Sequence, residues 1–142
     1  MKISILSFSI KGCILSDKIE VYLEEEGHSV FAYALEKFAA VAGKIPFQRL
    51  EVVTARIFYE TDAIIFIGSC ETAVRTITPF LRSKVVDPAV VVLDEEGTNV
   101  IALLSGQKVT ANELGYSLAD QLNANPVITS GSPIAGVFSV EA

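Results

Sequence analysis

Apolar positions in this chain fall into two kinds of run, short continuous ones and longer ones at helical spacing, and the two kinds alternate. Residues 2–9 read as a first strand, and residues 13–26 carry Ile14, Leu15, Ile19, Val21, Tyr22 and Leu23 on a helical pattern that Gly27 stops. A second strand is predicted over 29–33. Residues 34–48 give mixed signals, because Gly43 and Pro46 break any long element, and an irregular connection is expected before a helix over 50–59. A compact apolar strand over 63–67 ends at Gly68-Ser69 and leads to a helix over about 71–82, which Pro79 is expected to kink or shorten. Residues 89–93 read as another buried strand, 94–97 as a tight turn, and 99–104 as its antiparallel partner. A helix over 109–122 and a strand over 126–129 complete the pattern.

Strands separated by helices of about a dozen residues predict an α/β fold with three layers. The sheet is mostly parallel with one antiparallel hairpin, and helices lie on both faces. The composition agrees: 51% hydrophobic residues and a mean hydropathy of +0.48 are what strands covered on both faces require. A single domain is expected over residues 1–129. Residues 130–142, rich in Gly and Ser, read either as a disordered tail or as the point where a longer polypeptide continues.

Eleven basic against 17 acidic residues give a net charge of −6, which opposes attraction to nucleic acid or anionic lipid, so neither is expected as a partner. A small polyanion is a different matter, since local cations and helix N-termini can make a positive pocket in an acidic protein. Cys13 and Cys70 belong to no CxxC pair and no Cys/His cluster exists, so no metal site is expected and a reduced, cytoplasmic setting is. No run approaches the roughly 20 apolar residues that span a bilayer. GxGxxG, Walker A, GxSxG and HExxH are all missing, and no cofactor is expected. Homo-oligomer formation stays open.

Polar groups gather where strands end, at residues 7–12, 68–71, 94 and 105–108. In a parallel sheet such ends share one edge, and a common crevice is expected there. Gly68, Ser69, Glu71 and Arg75 offer backbone donors, a carboxylate and a guanidinium for an anionic ligand; equally, they describe a helix cap with an exposed i,i+4 pair. Ser105, Gly106, Gln107, Lys108 and Asn112 suit a ligand's carboxylates or carbonyls, or else Ser105 or Thr110 caps the last helix. Asp94 reads as a hairpin-turn residue or as a functional carboxylate, and His28 as a solvated turn residue.

The blocks IFIG, AVR, DPAVVVLDEEG, LLSG and ANEL, ordered between Ile57 and Thr129, resemble the N-terminal domain of the CbiG family of cobalamin biosynthesis. That resemblance implies a cobalt-precorrin-5A hydrolase of the anaerobic route, which opens a δ-lactone on a cobalt-containing tetrapyrrole and releases acetaldehyde. It implies a polycarboxylate substrate, seated near Gly68 and Ser105 with Arg75 and Lys108, and a carboxylate such as Glu71 or Asp94 to activate water. It also implies further domains, supplied in the same chain or by a separate CbiG C-terminal-like partner. Two departures stand out in the loop that reads LSGHxGGAN in the family: Gln107 replaces histidine, and Val109-Thr110 replace the two glycines. Glutamine does not titrate, which favours a second reading of a corrinoid-binding or assembly module without chemistry.

Overall fold

The computed structural model describes residues 1–130. Seven strands form one sheet: β1 (Lys2–Ser7), β2 (Ser29–Leu35), β3 (Ile45–Phe47), β4 (Ala63–Ile67), β5 (Ala89–Leu93), β6 (Asn99–Leu104) and β7 (Asn125–Val127). Five helices connect them: α1 (Ile10–Glu25), α2 (Glu36–Ala42), α3 (Leu50–Glu60), α4 (Cys70–Ile77) and α5 (Ala111–Leu122). The strand order is β3-β2-β1-β4-β5-β6-β7, and every neighbouring pair is parallel except β5 with β6. The expected three-layer α/β sheet with one antiparallel hairpin is therefore what the chain forms.

Alternation along the central strands divides the core into two layers. Ile3, Ile5, Ile65, Ile67, Val91 and Leu93 pack beneath α1 and α5, through Leu15, Ile19, Leu23, Leu114 and Leu118. On the opposite face Leu6, Ile64, Phe66, Val90 and Val92 meet α3 and α4 through Val53, Ile57, Phe58 and Ile77. Because β4 and β5 are covered on both sides, they read as unbroken apolar runs, and β1 differs only in Lys2 at its start and two buried serines, Ser4 and Ser7.

Residues 34–48 depart from expectation, since they hold α2 and β3 where an irregular connection was predicted. Gly43, at φ +69, is the left-handed cap that ends α2, and Pro46 is accommodated because β3 is a three-residue edge strand. Lys44 follows that cap. Its side chain is 2% exposed and reaches both Asp17 and Glu20 of α1, so an ammonium clamps the α2–β3 turn to the first helix. Burial alone would lower the Lys44 pKa, but the hydrogen bonds it donates to Asp17 and Glu20 outweigh it and leave the pKa above the usual lysine value. The helix predicted to reach residue 82 ends at Ile77 and continues as a 3₁₀ turn over Thr78–Phe80, with Pro79 inside it. Ser9, Ser69 and Thr110 each cap a following helix, through Gly12, Thr72 and Glu113 amides respectively.

The link from β6 to α5 is fixed by contact between backbones. A Cβ at Gly106 would lie 2.2 Å from the Ala89 nitrogen and 2.6 Å from the Pro88 carbonyl carbon, where nothing flexible can move aside. Gln107 N donates to Asp87 O at 3.0 Å, and Gly106 N to Val109 O at 3.1 Å. Gly106→Ala is expected to destabilise the fold by about 2 kcal/mol or more in chemical denaturation, a cost of the overpacking kind. Lys44→Ala is expected to cost about 2 kcal/mol near neutral pH. A cation whose pKa rises on folding stabilises fully below its unfolded pKa and loses that contribution as pH climbs through the folded value. The gap between Lys44→Ala and the parent should therefore hold from neutral to mildly alkaline pH and narrow above the ordinary lysine pKa of 10.5.

Candidate functional site

The strand order reverses between β1, which leads to β2, and β4, which leads to β5. Open α/β sheets bind ligands at such a reversal, beyond the C-terminal ends of the strands. Three loops meet on this rim. The first follows β1 and holds Phe8 and Ser9; the second follows β4 and holds Gly68 and Ser69; the third is the turn at residues 94–97.

Each loop is tied down by local chemistry. Ser9 Oγ accepts from Gly12 N at 3.0 Å and donates to the Glu95 carboxylate, while Lys11 pairs with Glu96. The turn's own acid groups thus sit over the start of α1, where the helix dipole favours negative charge. Asp94 is engaged by the turn itself: Oδ1 accepts from Asn99 N at 2.7 Å and Oδ2 from Thr98 N at 3.3 Å. Gly97 has φ +69 and packs against Leu15, which holds the turn to α1. At the second loop Ser69 Oγ accepts from Thr72 N at 3.1 Å, and Arg75 Nε donates to Glu71 Oε2 at 3.1 Å. Glu71 and Arg75 are 76% and 79% exposed, so water screens the pair and its worth is small. Beside them lies an open hollow of about 670 Å³, lined by Cys70, Glu71, Val74, Arg75, Thr78 and Pro79.

Residues 105–112 lie elsewhere. β6 runs against β5, with Leu104 paired to Val90 and Val100 to Leu93, so the end of β6 meets the start of β5. Gly68, by contrast, donates to Leu93 O at the far end of that strand. The length of a five-residue strand, roughly 13 Å, separates the two loops. The shared crevice expected from the sequence does not form: Gly68, Ser69, Glu71, Arg75 and Asp94 occupy one edge of the sheet, and Ser105, Gly106, Gln107 and Lys108 the other. The reason is direction, because an antiparallel strand delivers its C-terminus to the opposite rim.

On this second rim Ser105 Oγ accepts from Ala111 N at 3.4 Å, and Thr110 is the cap of α5. Lys108 lies 3.5 Å from Asp62 and is mostly exposed. Asn112 is buried, and its amide meets Ser130 Oγ at 3.2 Å through Nδ2, which holds the chain after β7 against the start of α5. Gln107 is exposed. His28 is not free in solvent: its Nδ1 lies 3.0 Å from the N-terminal amine, and burial, then the positive amine, lower its pKa.

The sequence reading passed over part of the first rim, the segment 46–49. The signal that would have found it is Phe47, a buried aromatic just after Pro46; its ring packs edge-on to Phe8 at 5.8 Å between centroids.

Comparison with known proteins places these features in a family. The cobalamin synthesis G N-terminal family matches residues 52–132, more than half of the chain. The chain is 47% identical over 93 residues to the cobalt-precorrin-5A hydrolase of Salmonella typhimurium, and 44% identical over 85 residues to that of Priestia megaterium. Those alignments take in 65% and 60% of this chain but 26% and 23% of the two enzymes, so it spans about a quarter of their length. A crystal structure of a cobalamin biosynthesis protein G homolog from Sulfolobus solfataricus superposes with a TM-score of 0.71 at 29% identity, covering 91% of this chain and 37% of that one. The fold, the ordered sequence blocks and their spacing agree: the chain belongs to the cobalamin synthesis G N-terminal family.

Proposed function

We propose that this chain is the N-terminal module of a cobalt-precorrin-5A hydrolase, working in the cytoplasm in the anaerobic route to cobalamin. With the further parts of such an enzyme it opens the lactone of a cobalt-containing tetrapyrrole, and acetaldehyde is released. The observation that carries this reading is the 47% identity over 93 residues to the Salmonella typhimurium hydrolase.

Lactone opening by water needs a base to take the water's proton, an electropositive seat for the oxygen of the attacked carbonyl, and an anchor for the substrate's carboxylates. Of the two carboxylates considered, Asp94 spends its oxygens on turn amides, whereas Glu71 is exposed and, among the described residues, held by Arg75 alone. An exposed ion pair exchanges partners at little cost. Arg75 therefore can transfer to a substrate carboxylate, and in doing so it releases Glu71 to take a proton from water. Gly68 and Ser69 supply the turn beside this pair. Lys108 belongs to the other rim and takes no part in this arrangement.

A second reading rests on Gln107, which stands where the family has a histidine, with Val109 and Thr110 in place of two glycines. On that reading the chain binds the corrinoid and does no chemistry.

Incubation with cobalt-precorrin-5A separates the two. The chain alone is expected to shift the corrinoid absorption spectrum, and acetaldehyde is expected once the remaining portion of a hydrolase is added. Glu71→Gln should then abolish acetaldehyde and keep the spectral shift. Arg75→Ala should weaken binding by about 1.5–3 kcal/mol, the worth of a charge-assisted hydrogen bond. Lys108→Ala should leave binding unchanged. A spectral shift without acetaldehyde in the completed system overturns the hydrolytic reading in favour of the binding module, and no shift at all overturns both.

A further inference from the structure

The loop between α4 and β5 presents six exposed residues in succession, 81–86, and three of them are large and apolar. Leu81, Val85 and Val86 are 44%, 65% and 47% exposed. Single apolar side chains on a surface need no explanation, whereas three in one short loop make a patch. This loop is also held firmly. The Asp87 carboxylate, itself buried, accepts from Arg82 N at 2.9 Å and from Arg82 Nε at 3.2 Å, and Arg82 Nη2 donates to Val86 O at 3.1 Å. The Arg82 guanidinium carbon lies 4.2 Å from the Tyr59 ring centroid, and the Val86 and Asp87 amides both donate to Ser83 O. An apolar loop already fixed in shape loses little freedom when a partner covers it.

A strip of the same character runs across the neighbouring strands. In β6, Val100 and Ala102 face α5 and are buried, while Ile101 and Leu103, on the face away from α5, are half-buried. Val127 of β7 is in register with Ile101 and is half-buried too. β7 runs parallel to β6, so it ends on the same rim as the loop, and Ser130 is held there by Asn112. β7 lies two strands from β5, roughly 10 Å across the sheet. The family's matched segment, N-terminal by description, runs out at residue 132. The aligned stretches are 26% and 23% of the two hydrolases, so most of each enzyme lies beyond them. Polypeptide that follows such a domain leaves from this rim, beside the patch.

We propose that this patch, Leu81, Val85 and Val86 with the flank of β6 and β7, is the seat for the portion of a hydrolase that follows its N-terminal domain. That portion reaches the patch from the end of β7 without crossing the domain. α4 carries Glu71 and Arg75 near its start and the loop beyond its end, so packing on the loop leaves that pair open to substrate at the other end of a helix roughly 12 Å long. That the occupant is hydrolase polypeptide rests on the function proposed above; the patch itself rests on its own residues.

The test is a hybrid in which this chain, through residue 132, is joined to the part of the Salmonella typhimurium hydrolase that follows its aligned stretch. Carbene labelling read by mass spectrometry reports side-chain exposure. Labelling of Leu81, Val85 and Val86 should fall at least about threefold in the hybrid relative to this chain alone, as an interface core excludes solvent. Ile14 and Val21 of α1, exposed on the opposite face of the sheet, should label as before. Val85→Glu combined with Val86→Glu should return Leu81 labelling in the hybrid to that of the chain alone. The melting temperature of the chain alone should not change with that double variant, since both side chains are exposed. Unchanged labelling of the loop, protection of Ile14 and Val21 in its place, or Leu81 still protected in the double variant overturns the patch. Dimers of the chain alone that the double variant dissolves overturn it in favour of a second copy. Where the hybrid does not fold, labelling of the intact Salmonella typhimurium enzyme over the stretch aligned with residues 81–86 decides by the same criterion. A protected loop in a hybrid that yields no acetaldehyde from cobalt-precorrin-5A supports the patch and defeats the hydrolytic reading alone; acetaldehyde with an unprotected loop does the reverse.

Discussion

One reversal of strand direction decides the geography of this molecule. β6 returns against β5, and the loop after Leu104 is thereby carried to the edge of the sheet where the parallel strands begin. The reversal is locked at both ends. Gly97 and the Asp94 carboxylate hold the hairpin turn, and at the other end Gly106 touches the backbone of Pro88 and Ala89 so closely that no side chain fits between them. The two groups of polar residues at 68–75 and 105–108 are therefore held apart by the length of the strands themselves.

The first edge is also where the protein manages its negative charge. Glu95 and Glu96 neutralise the start of α1 and Lys11, and Glu71 occupies Arg75. On the far side of Phe8 the balance changes sign, because Lys37 and Arg56 stack on aromatic rings and meet no carboxylate among the described residues. The contrast follows from local sequence: the hairpin turn holds Asp94, Glu95 and Glu96 together, while Lys37 and Arg56 stand beside the aromatic residues Phe38 and Tyr33.

The layers were legible in the sequence because β4 and β5 are apolar throughout, β1 nearly so, and the helices between them keep their period. Glu71 and Arg75 were legible as a pair, since i,i+4 spacing alone brings them together. Three things were not. The placement of residues 105–108 depends on strand order and direction, which no local pattern encodes. Residues 34–48 looked irregular because a seven-residue helix and a three-residue strand are too short to display a period. Gly106 was grouped with the residues suited to a ligand, and what lies against it is the chain's own backbone at Pro88 and Ala89.

The two outermost strands share a design. β3 is Ile-Pro-Phe and β7 is Asn-Pro-Val, each three residues long with a proline at its centre. Proline has no amide hydrogen to offer, and so short a ladder leaves little else to pair with. Both flanks of the sheet are blunted against templated growth, which protects an unusually apolar chain from stacking edge to edge with its own copies during synthesis and storage.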